Sequence, residues 1–404
     1  MRLLSIILAL ALFAGTFNAI YAQGDQIPGV GLVNGPDDTE AKALNGGGAS
    51  FPRPLYDLWF ATPGSAYTKL TGVTVSYQPQ GSGFGISNIQ NETLDFGASD
   101  GFMTDKQLED AKGGKVLHIP MVLGGVVLSY NIPELTEPLK LTAENIAQIY
   151  FGDFAPTADK AWYTDFKPLI KWNDERLVAN NPGLANVDKL ITPVRRADSS
   201  GTTNIFTSYL ESASKEWAEQ VGPGANSIRW PQGLAGRQNP GVAAAITQNE
   251  YSIGYIEVSY AIAQNLPAAL VQNKAGKFVE ATQASVSAAA AGVALPDDLR
   301  IKIVNGDGDE TYPISGFTWL LVYENQKDAA KGRAIARLAW WNVTDGQVFV
   351  SESSKITDKA DPKAVAAGYA PLPLPAIEKA QKLIASIKCG DAACLPADIV
   401  ATVK

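Results

Sequence analysis

Short apolar runs alternate along the chain with longer stretches whose apolar positions recur at helical period. Val73-Thr-Val-Ser-Tyr77 and Gly124-Gly-Val-Val-Leu-Ser-Tyr130 read as strands. Ala143-Glu-Asn-Ile-Ala-Gln-Ile-Tyr150 and Thr203-Asn-Ile-Phe-Thr-Ser-Tyr-Leu210 read as helices. Strands alternating with helices imply α/β domains with largely parallel sheets. Two further helices are expected, in the Ala-rich run from Ala284 to Ala294 and from Lys331 to Trp341, with Trp340 and Trp341 in the core. No internal repeat is visible.

The two ends of the chain break this pattern. Arg2 precedes an apolar run from Leu3 to Gly15, shorter than a membrane span, and small and aromatic residues follow up to Ala22. Residues 1–22 therefore read as a signal peptide cut after Ala22, although Ile20 is an unusual residue three positions before the cut. Residues 23–42, rich in Gly, Pro and Asp and without periodicity, read as a flexible leader before a fold that begins near Ala43. No later stretch is long and apolar enough to span a bilayer. The two cysteines, Cys389 and Cys394, flank a glycine near the C-terminus; in an exported protein they are expected to form a local disulfide.

Length and charge narrow the function. At 404 residues the chain has room for two domains or a little more. With 33 Lys and Arg against 41 Asp and Glu, the net charge of -8 argues against a sequence-independent nucleic-acid binder or an anionic-membrane binder, which need a basic field. A small anion can still be held by a local group. No cofactor or metal site is expected, since two thiols are too few ligands. The single histidine, His118, lies in an apolar stretch and reads as an ordinary strand residue.

Three Gly/Ser/Thr clusters stand where a strand or turn hands over to a helix. The first is Gly46-Gly-Gly-Ala-Ser50-Phe51-Pro52, in which Ser50 reads as a helix N-cap. The second is Gly81-Ser82-Gly-Phe-Gly85. The third is Arg195-Arg196-Ala-Asp198-Ser199-Ser200-Gly201-Thr202. Helix N-termini expose unpaired N–H groups, so converging Gly-rich entries would form an oxyanion cage. Arg196 adds a planar fork suited to a phosphate-like group, and Asp198 could hold that fork in place. A fourth segment, Leu94-Asp-Phe-Gly-Ala-Ser-Asp100, ends in a carboxylate. Asp100 reads either as the cap of a helix starting near Thr104 or as a site residue. Inside an anion cage it makes sense only for a ligand that keeps a proton: phosphate can donate a hydroxyl to it, whereas sulfate cannot. Such a site can discriminate by about four to five powers of ten.

These segments resemble the PstS family, the periplasmic phosphate-binding proteins of the high-affinity phosphate ABC importer. The matching stretches include Gly46-Gly-Gly-Ala-Ser-Phe-Pro, Tyr77-Gln-Pro-Gln-Gly-Ser82-Gly, Asp95-Phe-Gly-Ala-Ser-Asp100, Val194-Arg-Arg-Ala-Asp-Ser-Ser-Gly-Thr202, Trp230-Pro-Gln-Gly and Ile253-Gly-Tyr-Ile-Glu257, and they run in the family's order. The resemblance implies an α/β two-lobe periplasmic binding protein of type II, with helix-flanked, largely parallel sheets and the ligand in the interlobe cleft. Lobe I would comprise residues 43–124 and 276–404, and lobe II residues 125–275. One lobe would supply Ser50, the Phe51 N–H, Ser82 and Asp100, and the other Arg196, Ser200, Gly201 and Thr202. Where the family carries a double serine, this chain has Ser82-Gly83, losing one hydroxyl. Reversible phosphate capture without catalysis is implied, by a monomer outside the cytoplasm that delivers to a permease pair driven by a cytoplasmic ATPase.

Rival readings have less support. An enzyme would need a second histidine to build a general-base relay or a Walker-type run, and neither is present. Asn305-Gly-Asp307-Gly-Asp309-Glu310 resembles the start of a calcium loop, but Glu310 replaces the required glycine. Arsenate shares phosphate's charge and protonation pattern and remains an alternative ligand.

Overall fold

The computed structural model describes residues 27–151, 169–230, 233–353 and 361–403. The expected signal peptide and the first four leader residues lie outside the described residues. A 9-stranded sheet organises the remainder. Its strands, numbered along the chain, are β1 (Ala43–Gly48), β2 (Thr74–Gln78), β3 (Phe96–Ser99), β4 (Val116–Asn131), β5 (Thr192–Arg196), β6 (Leu234–Gly236), β7 (Ser252–Glu257), β8 (Ser315–Tyr323) and β9 (Tyr369–Ala370).

The spatial order is β2-β1-β3-β8-β4-β7-β5-β6, with β9 pairing on β4. The flanks β2-β1-β3 and β7-β5-β6 are each parallel, and antiparallel pairings of β8 and β4 join them. Parallel neighbours need a crossover between them. Here the crossovers include α1 (Arg53–Trp59), α2 (Ser82–Gln90), α3 (Gly201–Ala213) and α4 (Gln238–Gln248). The strand expected at Gly124–Tyr130 is the end of β4, whose residues are buried up to Tyr130, as an apolar strand covered on both faces should be.

β4 serves both flanks. Residues Val116–Gly125 pair with β8, and residues Val126–Asn131 pair with β7. Glycine is required near this change of partner, because a Cβ on Gly124 would lie 2.5 Å from the Phe51 ring. The Ala-rich helix spans Gln283–Ala290 and is shorter than expected: Ala291 is extended and Gly292 takes φ +73°, a left-handed conformation that ends it. The helix expected at Lys331–Trp341 is α5 (Ala329–Val343), with Trp340 and Trp341 buried.

The leader expectation needs correction for residues 27–42, which are tied to the fold. Ile27 and Val33 are buried. From α5, Arg337 donates to Gly35 O at 2.7 Å and pairs with the buried Glu40 at 2.6 Å, and Trp340 Nε1 donates to Gly29 O at 3.1 Å. Composition suited to a linker is overridden by donors supplied some 300 residues away. At the other end, Cys389 and Cys394 are joined in a disulfide on a short hairpin that pairs with Asn325–Gln326.

Candidate functional site

The parallel strands of both flanks end at one cleft, the usual ligand position in open α/β sheets. The turn after β1 carries Ser50 and Phe51, α2 opens with Ser82, and Asp100 follows β3. From the opposite flank, Arg196 ends β5, Gly201 and Thr202 open α3, and Asn239 lies in the first turn of α4. All of these residues are buried.

Ser50 is not a helix cap. Pro52 stands at that position, where its hydrocarbon ring makes no side-chain hydrogen bond, and Pro54 presets the first turn of α1. The Ser50 hydroxyl instead accepts from Asn239 N and Asn239 Nδ2, both at 3.2 Å. Tyrosine hydroxyls fasten the turn from behind: Tyr77 donates to Ala49 O at 2.6 Å, Tyr260 to Ser50 O at 2.5 Å and Tyr369 to Phe51 O at 2.7 Å. Among the described residues the Phe51 N–H donates to no protein acceptor, which leaves it for the cleft.

The Ser82 hydroxyl bridges the flanks, accepting from Asp100 N at 3.2 Å and from Gly201 N at 2.9 Å. Asp100 accepts from Thr318 Oγ1 at 2.8 Å on one oxygen and from Ser82 Oγ at 3.5 Å on the other. Burial pushes its carboxyl up to about 7, although Thr318, Arg196 and Ser82 favour the charged form. The capping alternative for Asp100 fails, because Thr104 caps the helix Asp105–Glu109 with its own side chain in a capping box with Gln107.

Arg196 is held as the sequence implied. Its Nε and Nη2 donate to the two Asp198 oxygens at 2.9 and 2.5 Å, and Nη1 donates to Thr202 Oγ1 at 3.1 Å. Burial raises the Asp198 carboxyl, but the Arg196 bonds and charge outweigh it and leave the group below the usual carboxylate range. Ser200 caps α3, its hydroxyl accepting from Thr203 N at 3.1 Å. The cleft therefore gathers Ser50, Phe51, Ser82, Asp100, Arg196, Ser200, Gly201 and Thr202, with Asp198 behind the arginine. Its positive charge comes from one guanidinium already paired to a carboxylate, so an anion would be held mainly by hydroxyls and N–H groups.

Two residues here were not singled out from the sequence. Asn239 belongs to Gly236-Arg237-Gln238-Asn239-Pro240, a short strand end running into a helix with an early proline, which is the signal the other clusters carried. Thr318 sits in the middle of an apolar strand, and only the tertiary pairing of β8 brings it to Asp100. His118 lies away from the cleft. Its Nε2 accepts from Met103 N at 3.0 Å, and burial pushes its pKa down to about 3, so it stays neutral. Among the described residues no group of three or more His, Cys, Asp or Glu is placed to hold a metal ion.

The PBP superfamily domain model matches residues 34–337. The phosphate-binding protein PstS of Pasteurella multocida is 36% identical over 346 residues, covering 85% of this chain and 90% of that protein. Its counterpart in Methanocaldococcus jannaschii is 36% identical over 352 residues, covering 81% of each. Among solved structures, a high-affinity periplasmic phosphate-binding protein (PfluDING) bound with phosphate superposes with a TM-score of 0.64 at 20% identity, covering 89% of this chain and 98% of its own. A phosphate-binding protein from Stenotrophomonas maltophilia gives 0.58 at 20% identity over 84% and 92%. At that identity the structural likeness speaks for the fold alone.

Proposed function

This chain belongs to the PstS family of phosphate-binding proteins within the PBP superfamily, and from that premise we propose that it binds inorganic phosphate in the cleft and delivers it to an ABC importer. The family is one of substrate-binding proteins of phosphate transport and not of enzymes. The observation that carries the reading is Asp100, a buried carboxylate among hydroxyl and N–H donors, with Thr318 on one oxygen and the other turned toward Ser82. A fully ionised oxyanion would be repelled there, whereas phosphate near neutral pH can donate its remaining proton to that oxygen.

In this reading Ser50, the Phe51 N–H, Ser82 and Asp100 contact phosphate from one lobe, and Arg196, Ser200, Gly201 and Thr202 from the other. Lobe I would comprise residues 43–124 and 276–404, and lobe II residues 125–275, a division supported by the change of partner along β4. Capture proceeds by closure, because only the closed arrangement offers contacts from both sides at once. The N-terminal pattern of Arg2 and the apolar run Leu3–Gly15 supports export through a cleaved signal peptide, and none of the described helices is long and apolar enough to cross a membrane. A monomer acting outside the cytoplasm would then meet a permease pair driven by a cytoplasmic ATPase.

Calorimetric titration of protein lacking residues 1–22 and stripped of ligand, with phosphate, arsenate and sulfate, tests the reading. Tight one-to-one phosphate binding, negligible sulfate binding and weaker discrimination in Asp100→Asn are expected. A folded protein that ignores phosphate would overturn it.

A further inference from the structure

A hydroxyl carries one proton and two acceptor positions, so an oxygen that already accepts two hydrogen bonds can only donate with what remains. Three hydroxyls of the cleft are filled in this way. Ser82 accepts from two backbone N–H groups, those of Asp100 and Gly201. Ser50 accepts from the backbone N–H and the Nδ2 of Asn239, with Arg196 Nη2 a longer third donor at 3.5 Å, and Thr202 from Arg196 Nη1 and, at 3.2 Å, from the same Asn239 Nδ2. Asn239 is fully buried, and the direction of its amide is set by Glu257 N, which donates to Asn239 Oδ1 at 3.1 Å. A flipped amide would turn an acceptor onto two hydroxyls and an NH2 group onto an N–H.

We infer that Asn239 is a positioning residue of the phosphate site: together with Arg196, its N–H groups fill the acceptor positions of the Ser50 and Thr202 hydroxyls, so that both protons point at the anion and Asp100 is left to receive the ligand's proton. The inference rests on the proposed phosphate reading and deepens it. Without the Asn239 amide, Ser50 keeps the residue-239 N–H and Thr202 keeps Arg196 Nη1, but each hydroxyl gains a freer acceptor position and could rotate to accept from the ligand, which weakens the direction of the phosphate proton to Asp100. With a carboxylate in place of the amide, the hydroxyls would donate to that carboxylate and be lost to the ligand.

The test is calorimetric phosphate titration of the wild-type protein, Asn239→Asp and Asn239→Ala across the pH range from about 5 to about 8, with circular dichroism to establish folding. Each affinity is taken as a ratio to wild type, so that titration of phosphate itself cancels. Asn239→Asp should bind on the order of 100-fold more weakly near neutral pH, since two charge-assisted hydrogen bonds are withdrawn, and its ratio should recover as protonation of the new carboxyl releases the hydroxyls. Asn239→Ala should lose about 10-fold with a flat ratio. A folded Asn239→Asp that binds within threefold of wild type, or whose ratio does not change with pH, overturns the inference alone. Wild-type protein that fails to bind phosphate overturns the proposed function and this inference with it. Should Asn239→Asp not fold, the double-mutant cycle of Asn239→Ala with Ser50→Ala decides, because positioning requires coupling of about threefold or more and strict additivity contradicts it.

Discussion

Gly201 N donates to Ser82 Oγ at 2.9 Å across the cleft, and a Cβ on Gly201 would lie 2.5 Å from that oxygen and 2.6 Å from Asp100 Cβ. In the proposed hinged capture, this close approach forms as the two flanks come together on the ligand. Gly201 has no left-handed backbone to relieve, and it opens α3, where alanine is well tolerated.

Gly201→Ala should therefore act on closure and not on folding. Phosphate affinity is expected to fall on the order of 10- to 100-fold, the scale of overpacking a tight contact, while the ligand-free unfolding midpoint stays unchanged. Small-angle scattering should no longer register compaction on phosphate addition. Normal affinity with normal compaction would show that the contact is not limiting.

Thr318 donates to Asp100 Oδ1 at 2.8 Å and thereby favours the ionised carboxyl that the phosphate proton needs. Thr318→Val keeps the volume and removes that donor, so the Asp100 pKa should move further up. Phosphate affinity near pH 7 should drop about 10-fold and recover as pH rises and the carboxyl ionises. Calorimetric titrations at about pH 6, 7.5 and 9 check this, and a loss that is constant across that range would assign Thr318 to packing alone.

Much of the cleft was legible because its parts are local. A strand end followed by glycine and a hydroxyl residue marks Ser82 and the Ser200 to Thr202 run from neighbouring positions alone, and Arg196 and Asp198 are close enough in sequence to imply their pairing. Ser50 misled for a local reason as well, since serine near a helix start resembles a cap unless Pro52 is weighed. What stayed hidden is tertiary. Thr318 reaches Asp100 through the pairing of β8 between β3 and β4, and Asn239 reaches Ser50 across 189 residues of chain. The same holds for residues 27–42, where Gly and Pro suggested looseness and the donors of α5 supply the restraint.

The Glu40–Arg337 pair should make that restraint measurable. Both side chains are nearly inaccessible, at 0% and 6% exposure, so Arg337→Leu would strand a carboxylate whose pKa burial already raises above its ordinary value. Breaking such a pair from one side costs about 3–5 kcal/mol, to be read from urea unfolding. Phosphate affinity should be unchanged in the folded variant. A loss below about 1 kcal/mol would mean that residues 27–42 contribute little to stability.

The ligand-free protein should lose stability as pH rises from about 6.5 to 8, and Glu257 should account for most of the decline. This carboxyl ends β7, opposite Val126 where β4 changes partner, and its N–H orients Asn239. Burial pushes it up to about 8 against the hydrogen bonds from Ser259, and Asp100 is likewise pushed up to about 7. A carboxyl with a raised folded pKa keeps a proton that the unfolded chain releases, so its contribution is present at low pH and is lost as pH climbs to the folded value. His118 acts in the opposite direction, because its pKa is pushed down to about 3 and its neutral burial favours folding as pH rises toward 6.5. Above that point the carboxyls act alone, and the decline should reach about 2 kcal/mol by pH 8 at the linkage rate for one group. Glu257→Gln removes the titration while keeping an acceptor for the Ser259 N–H, so its unfolding free energy should be nearly flat between pH 7 and 8. Urea unfolding at three pH values decides: a variant that declines as steeply as the wild type would mean that Glu257 is ionised in the native protein throughout, with its charge compensated from within the fold.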